Sequence, residues 1–204
     1  MTFVFPMAGR GQRFVEAGYK VPKFLIEING KTLLQYSIES LPIKIADKLV
    51  FIALKEHVIQ YSLASVIEDI IGNISYELIL LESITRGQAE TVMMAKNFID
   101  ESKDLVIYNI DTYFKSDNLE NLLMSNEKFD GVLGTFIDTN PKWSFALLDN
   151  ESKFIVKTAE KDPISDYALT GMYHFSKASS FFQIAERYIS EDIKVKGEFY
   201  IAPM

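Results

Sequence analysis

The chain reads as an α/β fold: a doubly wound, mainly parallel mixed sheet, continued in its second half by a mixed-sheet extension on the same core. Three observations predict it. Short apolar runs alternate with longer segments of helical character up to about residue 128, which is the βαβα rhythm of a parallel sheet. From Phe129 the rhythm shifts, and strand-like runs follow one another with only turns between them. A length of 204 residues suffices for one well-buried α/β domain and is somewhat short for two. One domain over 1–204 is therefore expected, with halves 1–128 and 129–204.

Each element has its reason. Thr2–Met7 is an apolar run of strand length that breaks into a glycine-containing loop. A helix is expected over 33–41, with Thr32 an acceptable N-cap. Strands over 48–54, 76–81 and 105–109 alternate with helical segments 56–71 and 89–100. In the second half, strands are expected over 131–137, 144–148, 153–158 and 169–175, with Asp149-Asn150 as the hairpin turn. A helix over 177–191 and a last strand near 198–201 complete the chain. There is no internal repeat.

Composition bounds the function. Apolar residues make up 48% and charged residues 24%, a globular balance, and no stretch is low-complexity. The absence of cysteine excludes disulfides, cysteine metal sites and a thiol nucleophile. No run approaches the roughly 18 apolar residues needed to cross a membrane. No basic segment precedes the first apolar run, so no signal peptide is read and a cytoplasmic location is expected.

The loop after the first run carries the sharpest signal. Gly9 and Gly11 can take positive φ, which lets consecutive backbone N–H groups turn inward around an anion. Between Ala8 and Lys31 stand five basic residues (Arg10, Arg13, Lys20, Lys23, Lys31) against two acidic ones, in a chain whose net charge is −7. A local basic excess in an acidic protein points to a small polyanion, with nucleoside triphosphate the candidate, and not to a nucleic-acid surface. The loop is neither a Walker A loop nor a full dinucleotide fingerprint, since Phe14 stands where GxGxxG needs its third glycine. Taken alone, the glycines could simply reverse the chain.

Two further loops fall beyond predicted strand ends, where ligands bind in such sheets. Asp111 follows the 105–109 strand, placed to hold Mg²⁺ through a hard oxygen or, as a bland alternative, to cap a turn. Gln88, in Thr85-Arg86-Gly87-Gln88-Ala89-Glu90-Thr91, offers a donor and an acceptor that match a base edge, or merely opens a helix. His57 and His174 are far apart and form no zinc site or triad, and Trp143 reads as core packing.

PMAGRGQRF followed by GYKVPKFLIEINGKTLLQYSI resembles the signature of the nucleotidylyltransferases that activate sugar phosphates, which share a Rossmann-like fold. The resemblance implies that Ala8, Gly9 and Gly11 bind the nucleotide, that Arg13 grips the triphosphate and that Lys23 lies near the phosphates. Thr32 departs from the family's proline at that point. Asn109-Ile110-Asp111 keeps the family's metal-binding carboxylate but not the small residue before it, and Gln88 falls in the family's base-binding loop. Glu160-Lys161 resembles the Glu-Lys-Pro element that contacts the acceptor, with Asp162 in place of proline, and Gly171 falls in the Gly-x-Tyr element after it. Gly197-Glu198-Phe199-Tyr200 is similar to an element of capsule- and lipopolysaccharide-associated members, with Glu198 a second metal ligand.

The implied activity is Mg²⁺-dependent transfer of a nucleoside monophosphate, pyrimidine favoured, from CTP, UTP or dTTP to a phosphate monoester such as a sugar 1-phosphate. Surface-polysaccharide precursors are the expected products. A cytidylyltransferase acting on a non-sugar ester and a non-catalytic nucleotide sensor are the alternatives. A glycosyltransferase predicts Asp-x-Asp where Asn109-Ile110-Asp111 has a single acid. No nucleic-acid or membrane partner is expected, and a homo-oligomer is left open.

Overall fold

The structure, a computed structural model, describes residues 1–125, 129–151 and 154–204. The first half runs β1 (Thr2–Met7), α1 (Gln12–Glu16), β2 (Glu27–Ile28), β3 (Lys31–Thr32), α2 (Leu33–Glu39), β4 (Lys48–Leu54), α3 (Lys55–Gln60) and α4 (Leu63–Ile71). It continues through β5 (Tyr76–Leu81), α5 (Gln88–Met93), β6 (Leu105–Tyr108) and α6 (Leu119–Leu123). The second half is β7 (Gly131–Ile137), β8 (Ser144–Leu148), β9 (Ile155–Glu160), β10 (Tyr167–Phe175) and α7 (Ala178–Ser190).

One sheet runs through both halves in the order β5-β4-β1-β6-β10-β8-β9, with β7 along the other edge of β10. The first four strands are parallel, and β10 then enters antiparallel to β6. The chain leaves β1 toward β4 and β5 on one side and returns to β6 on the other. The carboxyl ends of β1 and β6 therefore flank the point where the winding reverses, which is where such sheets open a crevice for ligands.

Alternation along the central strands builds a core on each face. Phe3, Phe5 and Met7 join Leu49, Phe51 and Ala53 on the face covered by α2 and α4. Val4, Val50 and Ile52 join Ile107 on the face covered by α5 and α7. Every residue from Leu49 to Ala53 is fully buried, as expected of strands covered on both faces. Phe5 stacks on Phe51 with ring centroids 4.9 Å apart. Thr32 caps α2, its hydroxyl accepting from the Gln35 N–H at 3.1 Å.

The differences from the sequence reading have local causes. The helix expected over 56–71 is two helices, because Ser62 takes a left-handed backbone (φ 48°) between them. The helix over 89–100 contracts to α5, with a 3-10 turn at Lys96–Phe98. No strand forms over 198–201. A tight bridge pairs Val195 with Glu198, and positive φ at Lys196 and Gly197 turns the chain there. The Asp149-Asn150 turn is a longer connection, closed where the Asp149 N–H donates to the Phe154 carbonyl at 2.8 Å. The expected start of the next strand at Lys153, and the division between halves at residue 128, lie outside the described residues. No helix among the described residues is long and apolar enough to cross a membrane.

Candidate active site

A cleft of about 680 Å³ opens at the carboxyl ends of β1 and β6. Its lining includes Ala8, Gly9, Arg10 and Gly11 after β1, Lys23, the loop Ile84–Gln88, Asn109 and Asp111 after β6, and Lys194, Gly197 and Glu198. Gly11 has φ 60° at the start of α1, and a side chain there would press on Lys23 Cβ at 3.1 Å. The glycine thus lets the loop pass directly over the Lys23 stem. The Lys23 ammonium is ion-paired with the Asp111 carboxylate, 25% and 32% exposed respectively, and stands 5.3 Å from the Phe14 ring centroid.

Gln88 opens α5, and its carboxamide donates to Asn109 Oδ1. The loop before it is held from several sides. Gly87 has φ 147°, and a methyl there would lie 2.6 Å from the Phe199 carbonyl oxygen. The Ala89 N–H donates to that oxygen at 3.0 Å, and the Phe199 N–H donates to Arg86 O at 3.0 Å. Arg86 stacks 5.0 Å from the Phe199 ring centroid, and its guanidinium donates to Glu90 at 2.6 Å, holding that carboxyl below its usual range. The C-terminal segment is therefore stapled to the loop that carries Gln88.

The expected acceptor residues form a neighbouring cluster. The Glu160 carboxylate is 6% exposed, accepts from the Ser144 hydroxyl and lies 3.5 Å from Lys161 Nζ. Burial opposes the Lys161 charge, but the Tyr200 hydroxyl that the lysine contacts and the Glu160 carboxylate outweigh it, so its pKa is raised. Burial, reinforced by the Glu160 charge, pushes the Tyr173 hydroxyl well above its usual range. Tyr200 follows Phe199, so the cluster adjoins the segment that carries Glu198. Gly171, with φ 84°, lies elsewhere: it is packed against the Asn109 side chain at a register shift of β10. Arg13 stands exposed on α1, outside the cleft lining.

The nucleotidyl transferase family profile matches residues 7–199, nearly the whole chain. The chain belongs to the nucleotidyl transferase family. Among solved structures, it is similar to a nucleoside-diphosphate-sugar pyrophosphorylase from Vibrio cholerae, with 31% identity and a TM-score of 0.83. That match covers 98% of this chain and 84% of the other. An inositol-1-phosphate CTP transferase from T. maritima shares the fold at 18% identity and TM-score 0.73, covering 97% of this chain and 76% of that one. A bifunctional protein GlmU from Methanocaldococcus jannaschii is 26% identical over 189 residues, which is 92% of this chain. The chain spans 42% of that relative's length.

For this nucleotidyltransferase, several cleft and neighbouring residues carry signals the sequence reading missed. Asn109 reads as a departure from a small residue, and only the fold sets its amide beside Gln88. Arg86, Glu90 and Phe199 meet through chain separations that no local pattern exposes. Ser144 and Tyr200 look like ordinary strand residues until the fold sets them on Glu160 and Lys161. Tyr200 stands within the Gly197-Glu198-Phe199-Tyr200 element, but only the fold sets its hydroxyl on Lys161.

Proposed function

We propose that the enzyme transfers a nucleoside monophosphate from a triphosphate to a phosphate monoester such as a sugar 1-phosphate, releasing pyrophosphate. A pyrimidine donor (CTP, UTP or dTTP), a cytoplasmic location and products destined for surface polysaccharide complete the reading. The observation that carries it is the meeting, at one reversal of the sheet's winding, of the glycine loop, the Lys23–Asp111 pair and Gln88. The similar Vibrio cholerae pyrophosphorylase supports the sugar acceptor.

The acceptor's phosphate oxygen attacks the α-phosphorus, and the bond from that phosphorus to the β-bridging oxygen breaks with its electron pair leaving on pyrophosphate. The nucleophile is already anionic, so no protein base is needed. What opposes reaction is repulsion between two polyanions, and the residues work by neutralising charge and aligning the partners. One unit charge about 4 Å away contributes roughly 4 kcal/mol of raw Coulomb energy at an effective dielectric near 20. Lys23, Arg13 and the amides around Ala8, Gly9 and Gly11 have this task, with Arg10 beside them. Gln88 takes the base. Glu160 and Lys161 take the acceptor and its phosphate.

Asp111 is the carboxylate for Mg²⁺, with Glu198 the second candidate ligand in the same cleft. Among the described residues no group of three acidic or histidine side chains could hold a metal by itself. One or two carboxylates completed by substrate phosphates and water are the donor set that suits Mg²⁺. When bound, the ion supplies charge neutralisation at the triphosphate.

The test is pyrophosphate release from CTP, UTP, dTTP, ATP and GTP with Mg²⁺, each against sugar 1-phosphates and non-sugar phosphate esters. Release that needs one triphosphate and one sugar phosphate is expected. Release with a non-sugar ester alone replaces the acceptor class, and tight triphosphate binding without release under any pair overturns the transfer.

A further inference from the structure

We propose that Asn109 and Gly171 form a positioning relay that sets the Gln88 carboxamide for the nucleobase. The inference rests on the reading that Gln88 meets the base. It reassigns Gly171 from the acceptor side to the triphosphate side.

Three contacts carry it. The Gln88 Nε2 donates to Asn109 Oδ1, which commits one end of the Gln88 amide and leaves Oε1 as the acceptor available in the cleft. Gly171 meets Asn109 from behind, where a methyl on Gly171 would lie 2.7 Å from Asn109 Cγ and 3.1 Å from its Cβ. The Asn109 N–H also donates to the Gly171 carbonyl at 3.2 Å. Asn109 is thus pinned at backbone and side chain by a glycine that is itself buried at the register shift of β10. A free glutamine amide can present either end to a base, and the match to one edge is lost half the time it turns over. Fixing it in advance removes that ordering cost from binding. An N–H at the base edge is the group the fixed Oε1 accepts.

The relay has a sequence correlate. The residue two before the metal carboxylate must reach Gln88 with an oxygen acceptor, and the residue facing it on β10 must have no side chain. Asn109 and Gly171 satisfy both conditions, although 62 positions separate them.

The experiment measures binding of CTP, UTP and dTTP, each with Mg²⁺ and no acceptor, and the Michaelis constants for both substrates. It compares Gln88→Ala, Asn109→Leu, Asn109→Asp, Gly171→Ala and the Gln88→Ala/Asn109→Leu double variant, each first checked for a parent-like melting transition. Asn109→Leu is expected to weaken binding of the preferred triphosphate roughly five- to tenfold, the worth of one misplaced hydrogen bond. The acceptor's KM and kcat stay near the parent's. Asn109→Asp, which keeps an oxygen to accept from Gln88, recovers most of the loss. Gly171→Ala repeats the Asn109→Leu pattern, and its circular dichroism provides the fold control if the leucine variant does not fold. The double variant is expected to lose no more than Gln88→Ala alone. Additive losses, or a Gly171→Ala defect confined to the acceptor's KM, overturn the relay while leaving the base reading intact. A Gln88→Ala variant that binds all three triphosphates like the parent overturns the base reading and the relay together.

Discussion

Lys23 and Asp111 neutralise each other in the cleft, and the proposed function gives each a different charge to meet once substrates enter. Their pairing is partly exposed, so it contributes little to stability, of the order of 0–1 kcal/mol for such a pair. Asp111→Asn and Lys23→Met are therefore expected to leave the unfolding midpoint nearly unchanged while lowering kcat by about a hundredfold or more, as removal of a preorganised charge does. Steady-state turnover and denaturant titration of the same preparations check both halves of that statement. Arg13 tests the resemblance more severely. It stands exposed on α1 while Arg10 already lines the cleft. Arg13→Ala is expected to reduce kcat/KM for the triphosphate at least about tenfold, the worth of a lost charge-assisted contact. Parent-like turnover in Arg13→Ala, with a defect in Arg10→Ala, transfers the phosphate role to Arg10.

The C-terminal segment and the loop before α5 behave as one unit at the level of elements. They share two backbone hydrogen bonds, the Arg86–Phe199 stack and a glycine contact with no room for a methyl. Phe199 is fully buried, so the segment is anchored in the core on the α5 and α7 face. Gly87→Ala would push a methyl against main-chain atoms, which cannot turn aside as a side chain can. It is expected to cost about 1–3 kcal/mol and to raise KM for the triphosphate, since Gln88 is the next residue. Urea unfolding and initial-rate kinetics measure both, and an unchanged KM would falsify the coupling of this segment to the loop that carries Gln88.

Across the whole molecule, pH dependence of stability has an identifiable source in His57. Its ring packs against Phe24 and Tyr61, with centroids 5.8 and 6.4 Å away, and its buried Nδ1 has no hydrogen-bond partner among the described residues. Burial depresses its pKa, assisted by the Arg10 charge and opposed by Glu56. The folded state therefore binds its proton less readily than the unfolded state does. Stability from this group is complete above the ordinary histidine value of 6.5 and declines as pH falls below it, toward the depressed folded value. Melting temperatures between pH 8 and 5 are expected to fall over the lower part of that range. His57→Phe, which keeps an aromatic ring in the same place, is expected to flatten that part of the curve.

The strands were the most legible feature, for a physical reason. Thr2–Met7 and Lys48–Leu54 are apolar runs of strand length, and burial between two helical layers demands that composition whatever the neighbours. The glycine loop, Lys23 and Asp111 all fall beyond strand ends, as their places after apolar runs predict, and line one cleft there. Helix interruptions at Ser62 and after Met93 were not legible, since no local pattern marks the left-handed backbone of Ser62 or the end of the helix at Met93. The strand expected near 198–201 does not form, because Phe199 and Ile201 are apolar as core anchors and not as members of a strand. The sequence by itself determined the α/β class, the alternation of elements and the basic, glycine-containing loop after the first strand, all of which follow from local composition and period. Only the tertiary structure decided which of those residues meet. The sheet order brings Asn109 to Gln88 and Gly171, Tyr200 to Lys161 and Phe199 to Gly87, contacts set by packing between segments that share no local pattern.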